Sequence, residues 1–416
     1  MNINELNDRI IKLYDEGNNY REIARKLRKD SNIAELWKEN TLRLHASDVV
    51  RTRVVDKEII TENVRLAKQK QRFQDLNRIE RKSFREHARI ENAIVELGEQ
   101  LVKLLKKEGL KIKDIHLEQI ESPYKLVLQF SDHHFNELID LPNNKYDFRV
   151  AAQRLQKLAN EIISIGQWKK TNVLCITFLG DLLNSDRRLD EKLSMATNRA
   201  KATSISVRLL RMFLDHLREH FIIYCAGVTG NESRSNQELG WSEILATDNY
   251  DFIIYDQLRV LYESKKGIEF AMMKPNEDVV SVNGKNFLLQ HGTTFGQSNV
   301  QKKVQEQIGK YANKGRVIHY VLFGHIHSTM IADYFSRNAS LAGSNAYSEE
   351  SLHFVSKAAQ NIHLVCENSD TIHSIKIDLQ DVSKFKGYPI ERDIDAYNAK
   401  SVRKTKQKRT VFEVII

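Results

Sequence analysis

Five apolar runs of the chain each end in a short polar cluster, and this repeated arrangement restricts the possible folds more than any other feature. The runs are KLVLQF, NVLCITFL, FIIYCAGV, NFLLQ and HYVLF, separated by helical stretches such as VAAQRLQKLANEIISI. Alternation of β-rich runs with helices predicts a layered α/β domain. Because strand ends meet at one edge of a sheet, we expect the five polar clusters to converge in space.

The clusters share one set of residue types: aspartate, asparagine and histidine, without cysteine. They are Ser131-Asp132-His133-His134, Gly180-Asp181, Gly230-Asn231-Glu232, His291-Gly292 and Gly324-His325-Ile326-His327. Nitrogen and oxygen donors of this kind suit Mn²⁺, Fe²⁺ or Zn²⁺. Any one cluster has an ordinary explanation as a turn or a core residue. Together they supply too many ligands for one tetrahedral ion and predict two ions that share a bridging carboxylate.

Glycine at four of the strand ends fits a backbone that turns sharply beside a crowded cluster, since glycine tolerates positive φ and close approach. In Gly324-His325-Ile326-His327, alternation along an extended chain predicts that the two histidines reach neighbouring ions while Ile326 points away. A further polar stretch, NASLAGSNAYS, is expected to support the ligand loops, to contact substrate or to form a plain turn-rich hairpin.

The order D-x-H, G-D, G-N, H and G-H-x-H over residues 125–365 resembles the calcineurin-like metallophosphoesterase superfamily. The SD.H opening, the long gap before G-D and the GHIHS ending are similar to the nuclease subunits of double-strand-break repair exonucleases, and the helices ahead of the domain look like a phage-encoded member. The resemblance implies a β-sandwich flanked by helices, in which a water or hydroxide between two metal ions attacks phosphorus. It implies Asp132, His134 and His327 as ligands of the first ion, Asn231, His291 and His325 of the second, and Asp181 as the bridge.

Two positions depart from that pattern. Glu232 follows Gly230-Asn231, where the family normally has a histidine that protonates or steadies the leaving oxygen, and Asn184 stands where the repair nucleases often have another histidine. Glu232 is a candidate acid only if its pKa is raised, and beside two cations we expect it to stay ionised. The substitutes that remain open are His133, Arg234 and water, with Arg234 either a phosphate ligand or a surface residue of a polar loop.

The first 55 residues have helical periodicity, and residues 10–27 resemble helix-turn-helix proteins. A third helix, SDVVRTRVV with Ser47 as N-cap, is predicted to enter a DNA groove through Arg51 and Arg53. A small helical interaction domain without DNA contact is the alternative.

The rest of the chain divides by composition. Residues 56–120 predict a basic helical linker that either follows a phosphate backbone or is merely solvated. Residues 121–382 form the predicted catalytic domain, with 239–282 as an insertion or cap, and 383–416 form a basic tail. The net charge of +9 favours a polyanionic partner, and DNA is the expected one.

Other global features exclude whole classes of protein. A chain of 416 residues normally divides into several domains. It has no apolar stretch near the roughly 20 residues that cross a bilayer and no export leader, so we expect a cytoplasmic protein without a membrane partner. Three cysteines without CxxC spacing predict buried free thiols. A homo-oligomer remains possible.

Three functions fit these observations. The first is a metal-dependent DNA nuclease, the second a phosphatase or phosphodiesterase for small substrates, and the third a DNA-binding regulator with a weak metal site. The complete ligand set argues against the third, and the basic N-terminal half favours the first over the second.

Overall fold

The computed structural model describes residues 2–53, 112–235, 247–296, 299–351 and 355–402, together with five single residues between 66 and 74. The chain forms two compact units, Met1–Ile90 and Glu91–Ile416. Each is described by itself.

The described part of the first unit consists of helices. These are α1 (Ile3–Asp15), α2 (Tyr20–Leu27), α3 (Ser31–Leu36) and a fourth helix, α4, over residues 39–53. Asn19 begins α2 by accepting hydrogen bonds from the backbone N–H groups of Arg21 and Glu22, which would otherwise lack partners at a helix start. Apolar faces from all four helices form one core, which comprises Leu6, Ile10, Ile23, Ala24, Leu27, Ile33, Leu42, Ala46 and Val50.

The predicted third helix is different in the structure. Ser47 lies inside α4 and does not cap it, because the helix begins eight residues earlier along an apolar stripe. That stripe is formed by Leu42, Ala46 and Val50. Arg53, predicted to face a groove, instead donates hydrogen bonds of 3.0 and 2.8 Å to the carboxylate of Asp15 on α1. Arg51 is exposed.

Two β-sheets form the centre of the second unit. The first sheet contains, in spatial order, β13 (Ile372–Asp378), β12 (Ala359–Cys366), β1 (Tyr124–Phe130), β4 (Val173–Phe178), β5 (Ile222–Gly227) and β6 (Ile268–Phe270). The second contains β10 (Met330–Ile331), β11 (Phe335–Arg337), β9 (Tyr320–Phe323), β8 (Lys285–Gln290) and β7 (Glu277–Val282). A separate short pair consists of β2 (Ile139–Asp140) and β3 (Lys145–Tyr146).

Helices cover the outer faces of this sandwich. The six-stranded sheet packs against α5 (Phe148–Lys169), α7 (Arg199–Arg218) and α8 (Tyr250–Tyr262). The five-stranded sheet packs against α9 (Val300–Ala312). Shorter elements are α6 (Leu189–Leu193), a π-helical segment (Tyr347–Ser351) and α10 (Glu391–Ala396).

Alternation of side chains along each strand produces these layers. In β1, Leu126 and Leu128 pack beneath the helices, whereas Val127 packs between the two sheets. In β9, Leu322 packs between the sheets, and Phe323 packs beneath α9. Both faces of β1 and of β9 are therefore buried, which explains why these two strands have mainly apolar sequences. The predicted fold class, a layered α/β domain with a β-sandwich flanked by helices, is confirmed.

Strand direction brings the polar clusters together. β1, β4 and β5 are parallel neighbours, and β8 and β9 are another parallel pair. Their carboxyl ends carry the five predicted clusters. The strand β12 runs antiparallel to β1 and was not among the five predicted runs.

Several predicted boundaries differ from the structure. Residues 250–282, expected within an insertion or cap, supply α8, β6 and β7 to the sheets themselves. Residues 383–402, expected in the tail, include α10, whose Ile394 is buried in the main core. Within the predicted linker, residues 112–120 form neither helix nor strand. The segments 54–65, 75–111 and 403–416 lie outside the described residues.

The cysteines are free, with Cys175 and Cys225 buried as predicted and Cys366 only partly buried. Among the described helices, none combines the length and apolar character that a membrane crossing requires.

Candidate metal centre

All seven predicted ligands lie at one edge of the sandwich, in two groups. The first group is Asp132, His134 and His327; the second is Asp181, His291 and His325. Within each group, one donor atom per residue lies within 4.8 Å of the others. Asn231 borders the second group, because its Oδ1 is 3.0 Å from Nε2 of His291. The first group has the same members as the first set that the family resemblance implies, whereas in the second group Asp181, expected as a bridge, stands with His291 and His325, and Asn231 lies beside them.

Five of these residues adopt a left-handed backbone conformation that non-glycine residues rarely occupy. Their φ angles are 54° at Asp132, 46° at His134, 57° at Asp181, 69° at His325 and 58° at His327. Each such residue costs on the order of 1–3 kcal/mol, and such residues concentrate at functional sites. The fold therefore bears local strain to aim these side chains at one place.

The sequence predicted that strand alternation places the two histidines after β9. In the structure a turn places them instead. β9 ends at Phe323, and the next residues turn tightly, with the N–H of Ile326 donating to the carbonyl of Gly324 at 2.9 Å. The positive φ at His325 and His327 sends the two rings to different groups. Ile326, between them, lines the adjoining cavity.

In the second group, lone pairs of His291 and Asp181 face each other. Nδ1 of His291 lies 2.7 Å from the carbonyl oxygen of Leu179, so in the neutral ring Nδ1 carries the proton and Nε2 presents a lone pair. That Nε2 is 3.0 Å from Oδ2 of Asp181, an oxygen that accepts no hydrogen bond. Facing lone pairs at this distance need a proton or a cation between them, so the residues fit a divalent metal.

The charges in this group respond to each other. Burial alone would lower the pKa of His291, but the Asp181 carboxylate outweighs burial and raises that pKa to about 10. Burial would raise the pKa of Asp181, whereas the neighbouring imidazoles lower it. A proton held by His291 thus stabilises the buried carboxylate, and a bound cation would do the same while releasing that proton.

The first group repeats this arrangement. Nε2 of His134 and Nε2 of His327 are 3.1 Å apart, and the latter is 3.4 Å from Oδ1 of Asp132. Burial, assisted by His327, lowers the pKa of His134 to about 4, so its ring is neutral at neutral pH. A neutral imidazole is the form that binds metal.

Two glycines allow neighbouring loops to reach the ligand carboxylates. A methyl group at Gly230 would overlap Oδ1 and the backbone nitrogen of Asp181, and one at Gly324 would overlap Oδ2 of Asp132. No side chain fits at either position without moving a metal-binding carboxylate.

A buried carboxylate that the sequence did not indicate joins two of the loops. Asp251, at the start of α8, accepts hydrogen bonds from the backbone N–H groups of Asp181 (2.9 Å), Leu182 (2.8 Å) and Gly230 (2.8 Å). Nδ2 of Asn249 donates to the carbonyl of Gly230 at 2.8 Å. The first turn of α8 therefore fixes the spacing between the Gly180-Asp181 and Gly230-Asn231 loops.

The stretch NASLAGSNAYS supports the first group. The hydroxyl of Ser340 donates to the backbone carbonyl of Asp132 at 2.9 Å, and Nδ2 of Asn338 contacts the hydroxyl of Ser131 at 3.1 Å. Ser131 in turn donates to Oδ2 of Asp132 at 2.6 Å. Of the roles that the sequence left open, these contacts correspond to support of a ligand loop.

Glu232 contacts the neighbouring ligand and an arginine. Nδ2 of Asn231 donates to Oε1 of Glu232 at 2.5 Å, which leaves Oδ1 of Asn231 facing His291. Oε2 of Glu232 accepts a bond of 3.2 Å from Arg187, which also donates to the carbonyl of Asn231 at 3.1 Å. Burial and the Asp181 charge raise the pKa of Glu232, and Arg187 opposes them. The sequence analysis did not single out Arg187.

The remaining candidates are placed differently from one another. Arg234 lines the cavity beside the two groups, and Asn184 does so as well. His133 packs in the core, with its ring centroid 3.8 Å from that of Phe130, and neither ring nitrogen has a hydrogen-bond partner. Burial lowers the pKa of His133 to about 3, and it does not line the cavity.

The cavity in front of the ligands has a volume of about 810 Å³. Side chains of both groups form its floor, and three arginines, Arg187, Arg188 and Arg234, line it with the acidic residues Glu137, Asp190, Glu191 and Glu232. A volume of this size is typical of small-ligand sites, which range over roughly 300–1,000 Å³.

No protein-family model and no curated protein sequence matches the chain. Among solved structures, the chain is similar to zinc-bound Vps29 from Entamoeba histolytica, with 11% identity and a TM-score of 0.28 over 61% of this chain and 99% of that one. It is also similar to a predicted phosphoesterase from Streptococcus pneumoniae (11% identity, TM-score 0.27, 64% and 94% covered) and to Vps29 from Chaetomium thermophilum (14%, 0.27, 62% and 97%). All three TM-scores are below 0.5, so the chemistry of this chain has to be argued from its own residues.

Proposed function

We propose that this chain is a nuclease that hydrolyses phosphodiester bonds of DNA with two divalent metal ions, Mn²⁺ being the expected one. The observation that carries the proposal is the pair of adjoining three-residue groups, whose imidazole and carboxylate donors suit borderline divalent ions. Two such ions would supply a nucleophile from water near neutral pH and offset the charge that develops on phosphorus.

The residues around the groups have defined tasks in this reaction. Asp181, whose Oδ2 has no neighbouring donor among the described residues other than Nε2 of His291, is the carboxylate available to both ions. Asn231 presents its amide oxygen to the second ion because Glu232 holds its amide nitrogen. Arg187 and Arg234 line the same cavity, where guanidinium groups can bind the non-bridging oxygens of a phosphate.

The N-terminal unit supports DNA as the substrate. The helix α2 and the turn after it expose a run of cationic side chains, namely Arg21, Arg25, Lys26, Arg28 and Lys29. Together with the net charge of +9, this surface favours a polyanion and predicts binding that weakens strongly with salt.

The test is Mn²⁺-dependent cleavage of single- and double-stranded DNA, measured beside a chromogenic phosphodiester and a phosphomonoester. We expect DNA and the chromogenic diester to be hydrolysed, and Asp181→Ala and His325→Ala to reduce both activities to background. Asp370→Ala and His373→Ala, which alter exposed residues of the same types, serve as controls.

Retained activity in Asp181→Ala or His325→Ala would refute the metal-centre assignment. Hydrolysis confined to the monoester would favour the small-substrate phosphatase instead. DNA binding without any turnover would favour a regulator.

A further inference from the structure

Tyr347, an aromatic residue, lines the metal cavity but has no role in the hydrolysis proposed above. Tyr347 opens the π-helical segment and lines the cavity together with His134 and His327. Its side chain is 48% exposed, so much of the ring is open to solvent, and a tyrosine ring offers a ligand both apolar area and a polar tip. π-helical turns are rare and occur frequently at functional sites.

A second planar group lies beside this ring. The guanidinium carbon of Arg188 is 5.3 Å from the centroid of Tyr347. Arg188 is itself held by Glu191, through a bond of 2.7 Å from its Nε. Because Glu191 holds the arginine, the guanidinium group is kept beside the Tyr347 ring, and both residues line the cavity.

A short helix with two exposed leucines follows Arg188 in the chain. Leu189 and Leu193 stand at the two ends of α6 and are 72% and 70% exposed. Between them, Asp190 and Glu191 line the cavity. Leu138, Ile139, Leu141 and Ile326 also line the cavity, so its wall offers a ligand apolar area beside the charged groups.

We propose that Tyr347 is the stacking platform for the nucleobase next to the scissile phosphate, so that the substrate is a single strand or a frayed strand end. The inference rests on the proposed nuclease function and adds the substrate class to it. Aromatic rings and arginine planes at the site of strand entry are how proteins bind unpaired bases without sequence preference.

Burial of the ligands explains why the strand must be unpaired. Asp132 and Asp181 are 0% and 1% exposed, so a phosphate reaches them only by entering the cavity. In a duplex, the base attached to that phosphate is stacked on its neighbours and has to leave the stack before it can follow. Tyr347 gives the displaced base a new partner.

The test is a thermodynamic cycle in which kcat/KM is measured with the full-length chain and Mn²⁺. The Tyr347 ring and the nucleobase are removed separately and together. The substrates are a single-stranded oligonucleotide and the same oligonucleotide with abasic residues flanking the scissile bond. We expect Tyr347→Ala to lower kcat/KM on the normal strand by about 5- to 150-fold, which corresponds to loss of one stacked base. The abasic strand should show a comparable loss with the unaltered protein, and the two losses should not add.

Two further variants distinguish the loss of base stacking from a general effect of a substitution on the structure. Tyr347→Phe keeps the ring and should retain the activity of the unaltered protein. Trp168→Ala is the control, because Trp168 is another exposed aromatic side chain beside a cation, Lys169, but does not line the cavity. This variant should leave kcat/KM unchanged on both strands. A blunt duplex should be cleaved more slowly than the single strand.

Additive losses, or an equal effect of Tyr347→Ala on normal and abasic strands, would overturn the stacking role. Equal rates on the duplex and the single strand would overturn the inferred substrate class. Failure of the proposed function is distinct from both, because the unaltered protein would then cleave no diester at all.

Discussion

Nε2 of His134 and Nε2 of His327 are 3.1 Å apart, although the residues are separated by 193 positions in the chain. Two ring nitrogens this close repel each other unless a proton or a metal ion lies between them. The same conflict recurs in the second group between His291 and Asp181. Both conflicts are resolved at once if each group binds a cation, which is why we interpret the edge of the sandwich as a two-metal centre.

Asp251 is expected to hold the Asp181 loop in place for metal binding. Asp251→Asn puts an amide group against backbone N–H donors, and a donor left without a partner costs about 1–3 kcal/mol of stability. Removal of a group that supports a metal ligand typically lowers metal affinity or activity by about 10- to 100-fold. Urea unfolding and Mn²⁺ titration calorimetry measure the two effects.

The matched control for Asp251 is Asp256→Asn on the same helix. Asp256 is partly exposed. Within the described part of the chain, its ion pair is with Arg259. Its replacement should stay within about 0.5 kcal/mol of the unaltered protein. If Asp251→Asn behaves like this control, α8 does not position the metal loops.

Gly230 and Gly324 are expected to tolerate no side chain. Gly230→Ala and Gly324→Ala should fold but bind Mn²⁺ weakly, because the added methyl group displaces the carboxylate of Asp181 or of Asp132. Gly309→Ala in α9 is the control, since a methyl group there meets nothing within 4 Å and alanine favours a helix by up to about 1 kcal/mol. Unchanged Mn²⁺ affinity in both site variants would argue against these carboxylates as ligands.

Glu232 is expected to position Asn231 rather than to donate a proton. Glu232→Gln keeps an oxygen that accepts from Nδ2 of Asn231, so Mn²⁺ affinity should change little, whereas Glu232→Ala frees the amide and should lower affinity by about 10- to 100-fold. Calorimetry with Mn²⁺ distinguishes the two variants. A leaving-group acid would give another result: Glu232→Gln would retain its metals yet lose cleavage of DNA, whose leaving group is poor, and keep cleavage of a chromogenic diester.

The exposed basic surface of α2 is expected to increase DNA affinity without affecting the rate of phosphodiester hydrolysis. The double variant Arg21→Glu with Lys29→Glu should weaken DNA binding and reduce the slope of log affinity against log salt, by about 0.9 for each phosphate that the protein no longer neutralises. Hydrolysis of the chromogenic diester should not change. A salt slope equal to that of the unaltered protein would favour the alternative, a helical domain that binds another partner.

The candidate metal ligands could be predicted from the sequence because each one follows one of five strands within a few residues. Their convergence then needed only parallel strands, as with Asp132 after β1 and Asp181 after β4. Asp251 was not predicted because it lies 70 residues from Asp181 and accepts hydrogen bonds from backbone N–H groups. Nearly every residue type has such a group, so the sequence does not indicate the contact. The placement of His325 and His327 by strand alternation was a wrong prediction, because a turn of positive φ aims the two rings.

The start of α4 and the role of Arg53 depend on tertiary packing for a similar reason. Ser47 is a good cap by residue type, but the apolar stripe through Leu42 and Val50 continues the helix across it. The pairing of Arg53 with Asp15 joins residues 38 positions apart, and a local pattern does not predict it.

Anomalous diffraction from a crystal grown with Mn²⁺ tests the two-metal centre most directly. We predict two peaks about 3.5–4 Å apart, one bounded by Asp132, His134 and His327 and the other by Asn231, His291 and His325, with Asp181 between them. The peak near His325 should vanish in His325→Ala. A single peak, or peaks away from these side chains, would contradict the account.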